Sequence, residues 1–226
     1  MTERGAGQPA ATGTGTPQLH QPDRDWFARP VLEVAPALLG AHVSAGGVTV
    51  RLTEVEAYAG TRDPGSHAFR GPTRRTEVMF GPPAHLYVYF SYGMHWCCNV
   101  VCGPDGEASA VLLRAGEVVA GESAARGRRD AGRTRPHPHR DLARGPARLA
   151  ASLGLDRGHD GQDLLAPAAP VRVLVREAPV DRIERGPRVG VSGEGGDGTA
   201  YPWRFFLAGE PSVSTYRAGG PRRRPQ

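Results

Sequence analysis

The chain has 226 residues and a net charge of +5, and its basic residues are all arginine. Without lysine it cannot form a Schiff base with a substrate or with pyridoxal phosphate, and it cannot use a P-loop lysine. No apolar run approaches the roughly 20 residues of a spanning helix, and no secretory signal is visible, so we expect no membrane contact and a cytoplasmic location.

The two ends of the sequence are poor in large apolar residues. Residues 1–22 consist mostly of Gly, Ala, Thr and Pro, and residues 218–226 combine Gly and Pro with an arginine cluster. Such segments cannot bury enough apolar surface to fold. We therefore expect one domain over residues 23–217, flanked by two disordered tails.

The first half of this domain predicts a short helix followed by two strands. Pro36 and Gly40 limit the helix in the apolar stretch before residue 40. Strands are expected at 42–44 and 48–58, on either side of a Gly46-Gly47 turn. The turn-rich segment 61–76 is expected to be a loop.

The second half predicts more hairpins and two further helices. Helices are expected within 118–129 and over 141–153, where Gly154 ends the second. Strands are expected at 85–92, 95–102, 108–114, 171–175, 188–191, 203–207 and 212–214. The hairpins and the few short helices, without a repeating strand–helix order, indicate a single α+β domain on a mostly antiparallel sheet.

Strand 48–58 carries an unusual set of side chains. Alternation places Glu54, Glu56 and Tyr58 on one face, and His67 follows shortly afterwards. The two carboxylates fit a solvent-facing strand, a Mg²⁺ site or an acid–base pair. The nearby aromatic ring and histidine favour a pocket.

The next two strands add aromatic and polar residues. Tyr87 and Tyr89 share a strand face, as in ordinary sheet packing, whereas Tyr92 would lie at a hairpin tip, where a ring can insert into a base stack. Asn99 and Arg114 interrupt apolar strands and each needs a partner or a function. From its pattern alone, Arg114 could be only an ion-pair partner.

Residues 121–150 form a basic segment. They contain eight arginines against Glu122, Asp130 and Asp141, which gives +5, equal to the excess of the whole chain. Such a segment suits a polyanion such as nucleic acid, although a solvated loop explains it equally well.

The cysteines and histidines do not indicate a metal site. Cys97, Cys98 and Cys102 are clustered without zinc-finger spacing, and His137 and His139 lack a suitable partner set. We expect reduced thiols that pack within a strand, and neither a metal nor a cofactor.

Several of these motifs, in this order, resemble the alkyladenine (3-methyladenine) DNA glycosylases. The resemblance extends from about Trp26 to about Tyr216. It is carried by TEVEAY at 53–58, His67, LYVY at 86–89, YGM at 92–94, Asn99, LLRA at 112–115, RGPARL at 144–149 and RVGV at 188–191.

The resemblance implies a role for each candidate residue. Glu56 would be the general base that activates water, and Arg114 and a backbone carbonyl near Val189 would help to hold that water. Tyr58, His67 and Tyr89 would sandwich a flipped base, and Asn99 would crowd a guanine amino group. Tyr92 would fill the gap left in the duplex. The fold that the resemblance implies is a single α+β domain whose curved, mostly antiparallel sheet carries short helices and a protruding β-hairpin.

The implied enzyme is a monofunctional glycosylase for base excision repair. It would act as a monomer, associated with the nucleoid, on alkylated or otherwise damaged purines in double-stranded DNA. The sequence departs from the family pattern at 95–98 (HWCC) and in the glycine-rich segment 192–198, which affects the expected range of lesions.

Two other function classes were weighed against this one. A non-catalytic nucleic-acid binder would retain Tyr92 and the basic segment but would not need Glu56. A metal-dependent nuclease would use Glu54 and Glu56 together, yet a third carboxylate at suitable spacing is missing. The combination of Glu56 with Arg114 favours the glycosylase.

Overall fold

The computed structural model describes residues 18–91 and 93–220. Most of both predicted tails, and Tyr92, lie outside these residues. Leu19–His20 form a short strand, so ordered structure begins a few residues before the expected domain start. Within the described part of the chain, no helix has the length and apolar character needed to cross a membrane.

A single antiparallel sheet dominates the described residues. Its ten strands are β1 (Leu19–His20), β2 (His42–Ala45), β3 (Val48–Tyr58), β4 (Leu86–Ser91), β5 (His95–Val101), β6 (Ala110–Ala120), β7 (Ala143–Arg144), β8 (Arg172–Arg176), β9 (Ile183–Gly186) and β10 (Arg204–Leu207). The main path runs β1-β8-β2-β3-β6-β5-β4, β7 joins β6, and β10 connects β3 to β9. The predicted α+β class and antiparallel sheet are confirmed.

Strand β3 organises the centre of the sheet. Strand β6 pairs with it along one edge, from Thr49 to Tyr58. The other edge is shared, since β2 pairs with the first half of β3 and β10 pairs with the second half. The second half of β3 is therefore enclosed by strands on both sides.

Four short α-helices accompany the sheet. They are α1 (Arg24–Phe27), α2 (Val31–Ala37), α3 (Glu122–Arg129) and α4 (Pro146–Leu153). Apolar residues of α2 and α4 join one face of the sheet, including Val55 and Ala57, in the main core. The predicted alternation of β3 is confirmed, because Glu54 and Glu56 lie on the opposite face. That face is also buried, and neither carboxylate is exposed.

Four element predictions were wrong in existence or in bounds. The helix expected from residue 141 begins only at Pro146, because Ala143–Arg144 pair with β6 and Gly145 has a φ of 114°. The segments 188–191 and 212–214 form no strand. Strand β6 continues to Ala120, where Gly121 turns the chain with a φ of 75°.

The three cysteines are buried free thiols, in agreement with the sequence prediction. Cys98 and Cys102 belong to the main core, whereas Cys97 lies at the edge of a cavity. Burial raises the pKa of all three thiols, and that of Cys102 reaches about 12.

Candidate active site

The sheet aligns five side chains, two of them predicted site residues, in one cross-strand row. Tyr87 on β4 pairs with Asn99 on β5, which pairs with Leu112 on β6. Leu112 pairs with Glu56 on β3, and Glu56 with Arg204 on β10. Directly opposite residues project to the same face of a sheet. Sheet pairing therefore brings together groups that are far apart in the sequence.

A cavity of about 730 Å³ lies over this row. Its base includes Glu56, Asn99, Leu112 and Arg114, and the hairpin β4–β5 contributes one side. Two loops supply further walls, residues 64–67 and residues 189–192. The cavity is thus closed by irregular segments that the sheet holds in place.

Glu56 is fully buried and uses both carboxylate oxygens. Its Oε1 accepts a 2.7 Å hydrogen bond from the Val189 N–H, and its Oε2 accepts one of 2.8 Å from the Tyr58 hydroxyl. Arg114 Nε lies 3.5 Å from Oε1. Burial raises the pKa of Glu56, and the Arg114 charge and these two hydrogen bonds partly offset that rise. The net effect is a pKa for Glu56 above that of an exposed glutamate.

Arg114 occupies a β-bulge between the two glutamates. Val55 pairs with Leu113 and Glu54 with Ala115, so Arg114 is the extra residue on β6. Bulges often redirect a side chain beside an active site. Here Arg114 Nε donates to Glu54 at 2.9 Å while the side chain also lines the cavity.

Glu54 differs from Glu56 in having its oxygens fully engaged. It accepts hydrogen bonds from Arg114, from Arg204 Nε at 2.6 Å, and from both the backbone N–H and the hydroxyl of Ser214. A carboxylate offers about four acceptor sites, so Glu54 is saturated. The described residues contain no group of three or more potential metal ligands. Glu54 therefore anchors two arginines, Arg114 and Arg204.

Aromatic residues form one wall of the cavity. The Tyr87 and Tyr89 rings stack at 5.4 Å, and the His67 ring meets Tyr89 edge-on at 4.6 Å. His67 Nδ1 shares a 3.2 Å hydrogen bond with the Tyr87 hydroxyl. Burial, followed by the charge of Arg75, lowers the pKa of His67 to about 4. His67 is therefore a neutral, oriented ring at physiological pH.

The remaining predicted residues also meet at this cavity. Asn99 is buried and donates from Nδ2 to the Tyr87 carbonyl at 3.1 Å. Seven of the eight predicted site residues line the cavity: Glu56, Tyr58, His67, Tyr89, Asn99, Arg114 and Val189. The eighth, Tyr92, lies outside the described residues, although its neighbours Ser91 and Gly93 line the cavity.

Sequence reasoning missed three residues at the site. Arg75 lines the cavity, and its guanidinium lies 5.3 Å from the centre of the Tyr89 ring. Arg188 and Asp63 form a fully buried ion pair behind the cavity walls. The sequence contains only a weak signal for these residues. Arg75 lies in the turn-rich segment 61–76, and Asp63 begins an Asp-Pro-Gly sequence that is typical of a turn.

Comparison with known proteins agrees with this geometry. A family model described as methylpurine-DNA glycosylase matches residues 25–211. A protein of Streptomyces avermitilis is 54% identical over 207 residues, which cover 89% of this chain and 94% of the relative. A protein of Leifsonia xyli is 57% identical over 204 residues, covering 88% of this chain and 94% of the relative. Both carry the name "Putative 3-methyladenine DNA glycosylase".

The length of the matches and the sequence identity of the relatives together assign the chain to a family. The family model spans most of the described domain, and the relatives align over nearly their whole length. The expected resemblance and the enzyme class are confirmed. The chain belongs to the methylpurine-DNA glycosylase family of hydrolases, which act on N-glycosyl bonds, and DNA is its substrate.

Proposed function

We propose that this enzyme removes alkylated or otherwise damaged purines from duplex DNA by base flipping, with a water molecule activated by Glu56. It acts as a monofunctional glycosylase, since the chain has no lysine to form a Schiff base with the sugar, and as a monomer. The product is an abasic site.

The observation that carries this proposal is the incomplete hydrogen bonding of Glu56. It accepts two hydrogen bonds, from Val189 and Tyr58, where a carboxylate can accept about four. Glu56 also lines the cavity, and the proposal places the attacking water at its remaining acceptor positions. Arg114 lies beside this carboxylate and supplies donors on the same side of the cavity.

Tyr58 supports the ionised form of the base. The pKa of its hydroxyl is raised well above its usual range by burial and by the Glu56 charge, so it remains a hydrogen-bond donor. Glu56 can thus accept a proton from water while Tyr58 and Val189 hold its orientation.

One carboxylate is sufficient for this chemistry. A purine alkylated at N3 or N7 is cationic, so its bond to the sugar is already weakened and the leaving base needs little acid assistance. Glu56 would also stabilise the positive charge that develops on the sugar. The saturated Glu54 leaves Glu56 as the available carboxylate on this strand.

The aromatic wall provides recognition of the extruded base. Tyr58, His67 and Tyr89 present rings to the cavity, and stacking on such rings contributes about 1–3 kcal/mol per base. Asn99, whose amide nitrogen is held by the Tyr87 carbonyl, would crowd the amino group of a normal guanine. Flipping costs a few kcal/mol, and a damaged pair lowers that cost.

The hairpin β4–β5 supports the proposed mode of DNA entry. Phe90 and Met94 are exposed near its turn, at 45% and 65% of their maximum accessible surface. Exposed apolar side chains beside a cavity suit insertion into a minor groove. The role of Tyr92 as the inserted ring stays a prediction from the sequence.

The test is single-turnover base release from duplex oligonucleotides that carry one defined lesion, with EDTA present. We expect free base and an abasic strand that breaks only after alkali treatment. Matched undamaged duplexes and Glu56→Gln protein are the controls. Prompt strand scission, an adduct trapped by borohydride, or a requirement for divalent cation would contradict the proposal.

A further inference from the structure

Arg188 is the largest side chain that the structure buries completely. It is 1% exposed, and its two terminal nitrogens bind the Asp63 carboxylate at 2.5 and 2.7 Å. The same nitrogens donate to the backbone carbonyls of Ala57 and Gly195 at 2.9 and 2.8 Å. One guanidinium thus makes four hydrogen bonds to three separate segments.

These three segments surround Glu56. Ala57 follows Glu56 on β3, Asp63 precedes the cavity wall 64–67, and Gly195 follows the wall 189–192. Arg188 itself precedes Val189, whose N–H binds Glu56. The guanidinium therefore joins both loop walls to the strand that carries the proposed base.

Arg188 also packs against the second donor to Glu56. Its guanidinium carbon lies 4.6 Å from the centre of the Tyr58 ring, and Trp203 and Tyr201 lie at 5.3 and 5.8 Å. Such cation–π contacts orient a ring as well as attract it. Tyr58 in this orientation donates to Glu56.

The segments around Arg188 pack so closely that two of the neighbouring positions accept only glycine. A side chain at Gly65 would collide with the Arg188 terminal nitrogen, and one at Gly195 would collide with the Gly65 backbone. The planar guanidinium fills this space with donors in fixed directions, which a lysine ammonium cannot reproduce.

Stability alone is a weak explanation for this arrangement. Desolvation of two charges offsets much of their attraction, so buried ion pairs contribute little net stability. The Arg188 Nε is, in addition, buried without a hydrogen-bond partner among the described residues. The burial of Arg188 at this cost in desolvation free energy is better explained by the residues that Arg188 positions.

We infer that Arg188, held by Asp63, is a positioning residue for Glu56, because it fixes the Val189 N–H and the Tyr58 hydroxyl that both bind the carboxylate. This inference rests on the proposed role of Glu56 as the base. It assigns Arg188 no contact with the substrate.

The expected consequence is a change in the pH dependence of catalysis. Glu56 acts as a base only when ionised, and both donors favour the ionised form. Loss of their positions raises the Glu56 pKa further, so the acid limb of the rate profile moves to higher pH. The other titratable or charged groups that act on Glu56 are Arg114, Glu54, Tyr58, Tyr89, Cys97 and Arg188.

The experiment measures single-turnover base release against pH for wild type, Arg188→Lys and Asp63→Asn, at a temperature where circular dichroism shows each protein folded. We expect both variants to lose roughly 10–100-fold in rate at neutral pH, the range for one hydrogen bond to a charged group, and to shift the acid limb upward. Arg51→Lys is the matched control, since Arg51 pairs with Glu117 and Glu210 away from the cavity. Arg51→Lys should lower the melting temperature without shifting the acid limb of the pH–rate profile.

A double variant separates positioning from general damage. If Arg188 acts through Glu56, Arg188→Lys should not lower the residual rate of Glu56→Gln any further. Additive losses, or an unshifted acid limb in folded Arg188→Lys, would overturn the inference while leaving Glu56 as the base. A wild-type rate in Glu56→Gln would overturn both. If Arg188→Lys does not fold, the pH profile of Asp63→Asn tests the inference instead. This variant keeps one acceptor oxygen for Arg188 and should therefore fold.

Discussion

Glu54 and Glu56 lie two positions apart on one face of β3, both fully buried, yet their surroundings differ. Glu54 accepts four hydrogen bonds, two of them from arginines, in a region formed with Arg204 and Ser214. Glu56 accepts two and lines the cavity. Burial therefore does not distinguish the two carboxylates. The number of unfilled acceptor positions that face the cavity does, and it favours Glu56 as the base.

Arg114 connects the two regions. Its Nε lies 2.9 Å from Glu54 and 3.5 Å from Glu56. Glu54 thus holds the arginine that lies beside the proposed base, so the strand carries a structural carboxylate next to the one that we propose as the base.

The largest expected effect is that of Glu56→Gln on catalysis. We expect a loss of roughly 10²–10⁴-fold in single-turnover rate, the usual contribution of a general base. The melting temperature should not fall. The folded-state pKa is raised, so above that pKa ionisation of Glu56 costs stability, and neutral glutamine avoids the cost. A variant that loses its rate only because it unfolds would contradict this assignment.

Glu54→Gln should show the opposite pattern. It removes the charge that pairs with Arg114 and Arg204 in the interior, and breaking a buried pair costs about 3–5 kcal/mol. We expect a clear loss of unfolding free energy in urea titrations and, for protein still folded, a smaller rate loss than in Glu56→Gln. Equal rate losses in the two variants would remove the distinction between the regions.

The arginines of the basic segment 121–150 also differ in how many hydrogen bonds they make within the protein. All three of Arg128, Arg133 and Arg135 are exposed, but Arg128 donates to the carbonyls of Ser152 and Gly46, whereas Arg133 donates, among the described residues, only to the neighbouring Arg135 carbonyl in the loop after α3. We expect Arg133→Ala and Arg135→Ala each to reduce the log–log salt slope of DNA binding by about 1. Arg128→Ala should leave that slope unchanged and lower stability instead. Unchanged slopes in all three would make the segment a solvated loop.

The smallest expected effect concerns His67. Because its pKa is lowered to about 4, it stays neutral from pH 5.5 upward and should add no inflection near pH 6.5 to the rate profile. An NMR titration of its ring protons should show the same absence. An inflection near 6.5 that disappears in His67→Gln would assign the acid limb to His67 instead of Glu56.

Seven of the eight predicted site residues line one cavity, whereas several of the predicted helix and strand bounds were wrong. Alternation in β3 and the polar interruptions at Asn99 and Arg114 were visible locally, since a strand repeats every two residues. The strand predicted at 188–191 was wrong, although Val189 and Val191 alternate as in a strand, because both line a loop wall of the cavity.

Long-range pairs had no such local signal. Asp63 and Arg188 are 125 residues apart, and each is ordinary in its own segment. The saturation of Glu54 likewise depends on Arg204 and Ser214, 150 or more residues away. Only the folded sheet shows which carboxylate is filled and which remains available.

The burial of the three thiols has a consequence for an enzyme of alkylation repair. Electrophiles that methylate purines also attack thiolates, and reactivity follows the thiolate fraction. The pKa of Cys97, Cys98 and Cys102 is raised in each case and the chain has no lysine, so the protein offers little thiolate and no lysine amine to such electrophiles. The enzyme is thereby suited to remain intact under the chemical exposure that generates its substrates.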